Sequence, residues 1–185
     1  MTPADLRALP PRELRALLAA GVPIDPRTLE DRVFHGTSLW LPRLLERLTW
    51  TTFVKAFHRD PASGALRGWN VRTEPGTWTP QLRRGRPRAF GHFLVTSPGA
   101  CPSGAAAPRG LLLDYGALNP AWHPLARLRD PLVTLPDSGG LLLGSTILAL
   151  GARLATPSYF CLQAGPALEA PEAPPRALPA HALSV

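Results

Sequence analysis

Trp50-Thr51-Thr52-Phe53-Val54-Lys55-Ala56-Phe57-His58 decides how this chain is read. Aromatic and β-branched residues dominate it, a composition that favours a pleated strand over a helix. Asp60-Pro61-Ala62-Ser63-Gly64 is a turn, and Leu66-Arg67-Gly68-Trp69-Asn70-Val71-Arg72-Thr73 completes a hairpin. Successive side chains of a strand point to opposite faces. Thr51, Phe53, Lys55 and Phe57 therefore share one face, and Trp50, Val54, Ala56 and His58 the other. Lys55 is the only lysine in the chain, and it sits between two phenylalanines. If that face lines an interior, the ammonium needs a carboxylate or a ligand anion beside it. Asp114 in Leu111-Leu112-Leu113-Asp114-Tyr115-Gly116, one acid in an otherwise apolar strand, is the internal candidate. The alternative is a lysine that snorkels to the surface along the two rings.

The same texture recurs downstream. Strands are predicted at 89–96 and 110–115, and a second hairpin at 141–150 and 158–163 across Gly151-Ala152-Arg153. Residues 119–128 have room for a helical turn. Near the start, Leu6, Leu9, Leu14, Leu17 and Leu18 recur at helical spacing, interrupted by Pro10-Pro11 and stopped by Gly21 and Pro23. This predicts a short turn followed by a helix from Pro11 to Ala20. A second helix is predicted from Ser38 or Leu39 to about Leu48, on the stripe Leu41, Leu44, Leu45 and Leu48. Six or so antiparallel strands, with helices confined to the N-terminal end, give a mainly β (α+β) fold: a small antiparallel β-barrel or a strongly curved sheet. Parallel βαβ architecture is disfavoured, because no helix-length segment separates successive strands. The expected organisation is an N-terminal helix and connector at 1–30, a barrel domain at 31–163 and a Pro/Ala-rich disordered tail at 164–185.

The 185 residues are one domain's worth of chain, and 45% hydrophobic against 18% charged supports a real core. The formal charge is +7, but nineteen of the twenty basic residues are arginine. With 23 prolines, that skew reads as coding pressure from a GC-rich genome, which weakens the inference from charge to nucleic acid. No run approaches the roughly 18 apolar residues of a membrane span, and Met1-Thr2-Pro3-Ala4-Asp5 does not begin a signal peptide. The expectation is a cytoplasmic bacterial protein. Cys101 and Cys161 are too few for a disulfide framework or a structural zinc site.

Signals for catalysis are sparse. His58, His92 and His123 show no metal-ligand spacing, so neither a metal nor a cofactor is expected. No nucleophile elbow, phosphate loop or dinucleotide fingerprint is present. His92 shares a face with Phe90 and Leu94, and with Asp114 it is the weak candidate for acid/base work. Arg83-Arg84-Gly85-Arg86-Pro87-Arg88 lies near Trp78 and could touch a nucleic-acid backbone. The run is short and lacks a fold signature, so it reads as a solvated loop, and nucleic acid is disfavoured as a partner.

Several short motifs act together: Trp50-x-x-x-x-Lys55-x-Phe57 with Asp60, Gly64 and Asn70, then Leu113-Asp114-Tyr115, Arg129-Asp130, and Leu142-Leu143-Gly144 with Tyr159-Phe160. Phe34-His-Gly-Thr-Ser-Leu39, Phe57-His-Arg-Asp60, Gly68-Trp-Asn70 and Phe90-Gly-His92 add to the pattern. From about Asp31 to Gln163 the chain resembles a family of uncharacterised bacterial proteins built as small lipocalin-like β-barrels. The resemblance implies a fold and brings no established activity. The reading that follows is non-catalytic binding of a small apolar or amphipathic molecule, possibly acidic, in a barrel pocket. Lys55 would anchor it, paired with Asp114, among Phe53, Phe57, Trp69, Phe90, His92, Tyr115 and Phe160. The alternatives are an enzyme using that pocket, or a protein-interaction module using the arginine loop and the tail.

Overall fold

Phe34, Phe57, Phe93, Leu113, Leu132 and Leu162 come from six different strands and bury themselves in one cluster. The computed structural model describes residues 1–40, 51–98, 109–150 and 153–178. Its strands are β1 (Arg32–Trp40), β2 (Thr52–Arg59), β3 (Leu66–Val71), β4 (Leu82–Arg83), β5 (Arg86–Pro87), β6 (Ala89–Thr96), β7 (Leu111–Asp114), β8 (Leu128–Thr134), β9 (Leu142–Leu150) and β10 (Arg153–Ala167). Eight of them close into an antiparallel barrel in the order β1-β10-β9-β8-β7-β6-β3-β2. Closure leaves this eight-stranded sheet without a free edge strand, because β1 pairs with β10 on one side and β2 on the other. The two-residue strands β4 and β5 form a separate ribbon in the connection from β3 to β6.

The lipocalin-like barrel is thus the fold, with strands longer and more numerous than the sequence signals. β1 and β8 were not expected. Ser38, Leu39 and Trp40, read as the start of a second helix, end β1 instead: Ser38 and Phe160 pair across the β1–β10 ladder, which leaves no backbone for a helical turn. The rest of that predicted helix, with Trp50 and Cys101, lies outside the described residues. β8 hides behind Pro131 and two charged residues, a composition depleted in strands. The tail boundary also moves. β10 runs to Ala167, and beyond it the Leu168 N–H donates to the Asp31 carbonyl at 2.8 Å. Farther on, Arg67 Nη1 donates to the Glu172 carbonyl at 2.8 Å.

At the N-terminus, α1 (Pro3–Arg7) opens with a capping box between Thr2 and Asp5, and α2 (Pro11–Ala20) matches its predicted span. Leu6, Leu14 and Leu18 pack on outward residues of the barrel, among them Val133, Leu143, Tyr159 and Cys161. Cys161 is a free thiol under that layer, and burial pushes its pKa up to about 11. Ile24 and Leu29, from the connector leading into β1, join the interior cluster.

Candidate functional site

Lys55 points into the barrel and is 2% exposed. Its ammonium donates to Asn70 Oδ1 at 2.9 Å, Tyr115 OH at 2.6 Å and Asp130 Oδ2 at 3.2 Å. Tyr115 in turn donates to Asp130 Oδ2 at 3.0 Å. Those three acceptors match the three N–H groups of an ammonium. Four rings surround the charge, with Phe93 and Phe160 centroids at 5.1 Å, Tyr115 at 5.4 Å and Phe53 at 5.6 Å. Desolvation pulls the Lys55 pKa down, and the Asp130 carboxylate pulls it back up. Burial, reinforced by Asp130, drives the Tyr115 phenol well above its ordinary range.

The acid that completes this cluster is Asp130, and the expected pairing with Asp114 is corrected. Leu113 faces the interior, so Asp114 beside it in the strand faces out. There it meets Arg129 Nη1 at 3.1 Å and accepts the Gly116 N–H at 2.6 Å. Across the ladder Asp130 sits opposite Leu113, which puts it on the inner face. Alternation alone did not single Asp130 out, since Asp114 alternates with Leu112 in the same way.

The aromatic cage rests on three strand glycines. A Cβ on Gly36 would lie 2.3 Å from the Phe53 ring, one on Gly68 2.5 Å from Phe93, and one on Gly144 2.3 Å from Phe160. Each ring takes the space an ordinary side chain would fill, and so leans over the ammonium. Gly36, Gly68 and Gly144 belong to short motifs noted in the sequence, and here those motifs acquire a packing reason.

The remaining expected residues divide between the two faces. Phe57 stacks edge-on with Phe34 and lies near Phe93, with centroids 5.4 Å apart in both pairs. Trp69 faces outward, contrary to the expectation of a lumenal side chain, and the Arg67 guanidinium lies 5.5 Å from its ring. His92 is outward too, 6.1 Å from Trp69. A bulge explains the change of phase: three steps on β6, from Phe90 to Phe93, face two on β3, with Gly91 at φ +54. Phe93 and Val95 then face in, and Phe90 lies beside the Arg72 guanidinium near the start of β6. His92 and Asp114 share no hydrogen bond, and His92 Nδ1 has no partner among the described residues.

Burial, helped by the Arg67 charge, lowers the His92 pKa to about 4. The unfolded chain takes up this proton near the ordinary 6.5, so stability falls as pH drops through the window between those values. The loss amounts to about 2–3 kcal/mol at the lower end. Urea titrations at both ends of that window should show His92→Leu losing less stability than the wild type by roughly that amount. Equal losses would mean that the imidazole is solvated.

A concave groove lies outside the barrel. Val33, Val54, Ala56, Trp69, Val71 and Ala89, outward residues of β1, β2, β3 and β6, floor a groove of about 740 Å³. Trp78, Pro80, Arg86 and Pro87 from the β3–β6 connection form one wall, and Pro166 to Glu172 the other. Trp78 stacks flat on His35 at 4.8 Å, and its indole N–H donates to the Gly36 carbonyl at 3.1 Å. Desolvation lowers the His35 pKa. Sequence reasoning missed the groove. Its signal was that β2 is apolar on both faces, which demands a cover on each.

Among the described residues, no group of three or more His, Cys, Asp or Glu is placed to hold a metal ion, and no helix is long and apolar enough to cross a membrane. Comparison with protein-family models, with curated proteins and with solved structures returns no match for this chain.

Proposed function

We propose that the protein binds a small apolar or amphipathic molecule without transforming it, and that the molecule lies in the outer groove. The groove itself carries this reading. Its volume of about 740 Å³ falls in the range of about 300–1,000 Å³ typical of ligand pockets. Its floor is aliphatic, Trp78 offers an exposed indole, and His35, Arg86, Glu169 and Glu172 supply a few polar groups at the border. The interior speaks against the lumenal site expected from sequence. All three Lys55 N–H groups already have protein acceptors, so an acidic head group would have to displace one of them.

Titration with Nile red, a neutral solvatochromic dye, tests this. Wild-type protein should bind it saturably. Val33→Trp, which puts bulk on the groove floor, should weaken binding about tenfold, or ~1.4 kcal/mol, with the fold intact by circular dichroism. Phe160→Leu, which opens space in the barrel, should leave the affinity unchanged. The reverse pattern would move the ligand into the lumen, and absence of saturable binding by the wild type would end the reading.

A further inference from the structure

We propose that one end of the barrel docks on an anionic phospholipid surface. The antiparallel ladders place the β3–β6 and β7–β8 connections at the same end, because β6 runs back alongside both β3 and β7. The first connection carries the β4–β5 ribbon, turned at Arg84 and Gly85, both at positive φ. Positive φ at both central residues gives a tight two-residue hairpin turn. The ribbon is tied to the end of β3 by Gln81 N–H donating to the Arg72 carbonyl at 2.8 Å and Arg72 N–H to the Arg88 carbonyl at 3.1 Å.

This ribbon exposes Arg83, Arg84, Arg86 and Arg88, with Leu82 beside them at 66% exposure. On the neighbouring connection, Trp122 is 82% exposed. Charge within these two connections is one-sided. Residues 72–88 hold five arginines against the single acid Glu74, and residues 115–127 hold no acid. Arginines gathered around protruding aliphatic and indole side chains suit a lipid interface, where cations meet anionic head groups and apolar groups enter the acyl boundary. Nucleic acid would use the same arginines and could stack on Trp122, but it offers an exposed leucine nothing comparable. The groove's ligand plays no part in this argument.

Co-sedimentation with vesicles of phosphatidylcholine, alone or mixed with phosphatidylglycerol, is the test. Binding is expected to the mixed vesicles only, and to weaken as salt is raised. Arg83→Gln with Arg84→Gln should lower the partition coefficient about tenfold or more. Leu82→Ser with Trp122→Ser leaves the charge unchanged and should also lower it severalfold. All four positions are exposed, so these variants keep their fold, and Val33→Trp should bind vesicles as the wild type does. No binding to mixed vesicles at low salt overturns the proposal. So does vesicle binding that is indifferent to the Leu82/Trp122 pair while single-stranded DNA binds more tightly, since the end would then be a polyanion site.

Discussion

Lys55→Met is expected to cost about 3–5 kcal/mol of stability, which for a chain of this length lowers Tm by about 10 °C. Methionine keeps the length and apolar character of the stem, so the packing of Phe53, Phe93 and Phe160 is largely preserved. What disappears is the cation beside Asp130, whose side chain is 2% exposed. Tyr115 still donates to Asp130 Oδ2, but Oδ1 has no partner among the described residues even in the wild type. A carboxylate left there is buried away from bulk solvent and has lost its countercharge. Removing both charges is a different matter, because a buried ion pair that is replaced whole often costs little. Lys55→Met with Asp130→Asn should therefore be more stable than Lys55→Met alone, with a coupling energy of about 2–3 kcal/mol. Asp114→Asn in the Lys55→Met background should recover nothing, because Asp114 pairs with Arg129 on the outside. Urea denaturation of the four-member Lys55/Asp130 cycle, and of the Lys55→Met variant carrying Asp114→Asn as a fifth protein, measures all of this. A Lys55→Met protein within about 1 kcal/mol of the wild type would show that the cluster is not held together by its charge.

The stretch from Phe53 to Phe57 made the inner face legible because its two rings fall on the same side as the sole lysine, a contrast that strand alternation turns into a direction. The β2–β3 and β9–β10 hairpins were legible for the same reason, each having a turn sequence between apolar runs. The partner acid was not. Asp114 and Asp130 both lie among leucines in β7 and β8, and only the phase of each strand tells them apart. Phase is set by ladder register, which a single strand does not encode. The bulge at Gly91 shows how fragile phase is: one extra residue separates Phe90 from the alternation that governs Phe93. The outer groove was hidden by its cover. Pro166 to Glu172 have no hydrophobic period, yet backbone hydrogen bonds and Arg67 hold that segment, and neither leaves a periodic trace.

Gly144→Ala and Gly68→Ala separate two kinds of crowding that look alike in sequence. At Gly144 the three atoms nearest a new Cβ all belong to the Phe160 ring, at 2.3, 2.6 and 2.9 Å. At Gly68 it meets the Phe93 ring at 2.5 Å and also the Ala56 carbonyl oxygen at 2.3 Å. Both substitutions overpack the barrel and should destabilise it by about 1–3 kcal/mol, with Gly68→Ala at or above the upper figure. A ring can be shortened, so Phe160→Leu should rescue Gly144→Ala and give a favourable coupling of about 1–2 kcal/mol. Phe160→Leu carries its own cost, since it removes one of the four rings around the ammonium, and the single variant enters the cycle for that reason. The Ala56 carbonyl belongs to the β2–β3 ladder and cannot withdraw without breaking strand pairing. Phe93→Leu should therefore fail to rescue Gly68→Ala. Equal rescue at both positions would mean that the ladder yields easily there, and that ring packing alone fixes how closely β2 and β3 approach.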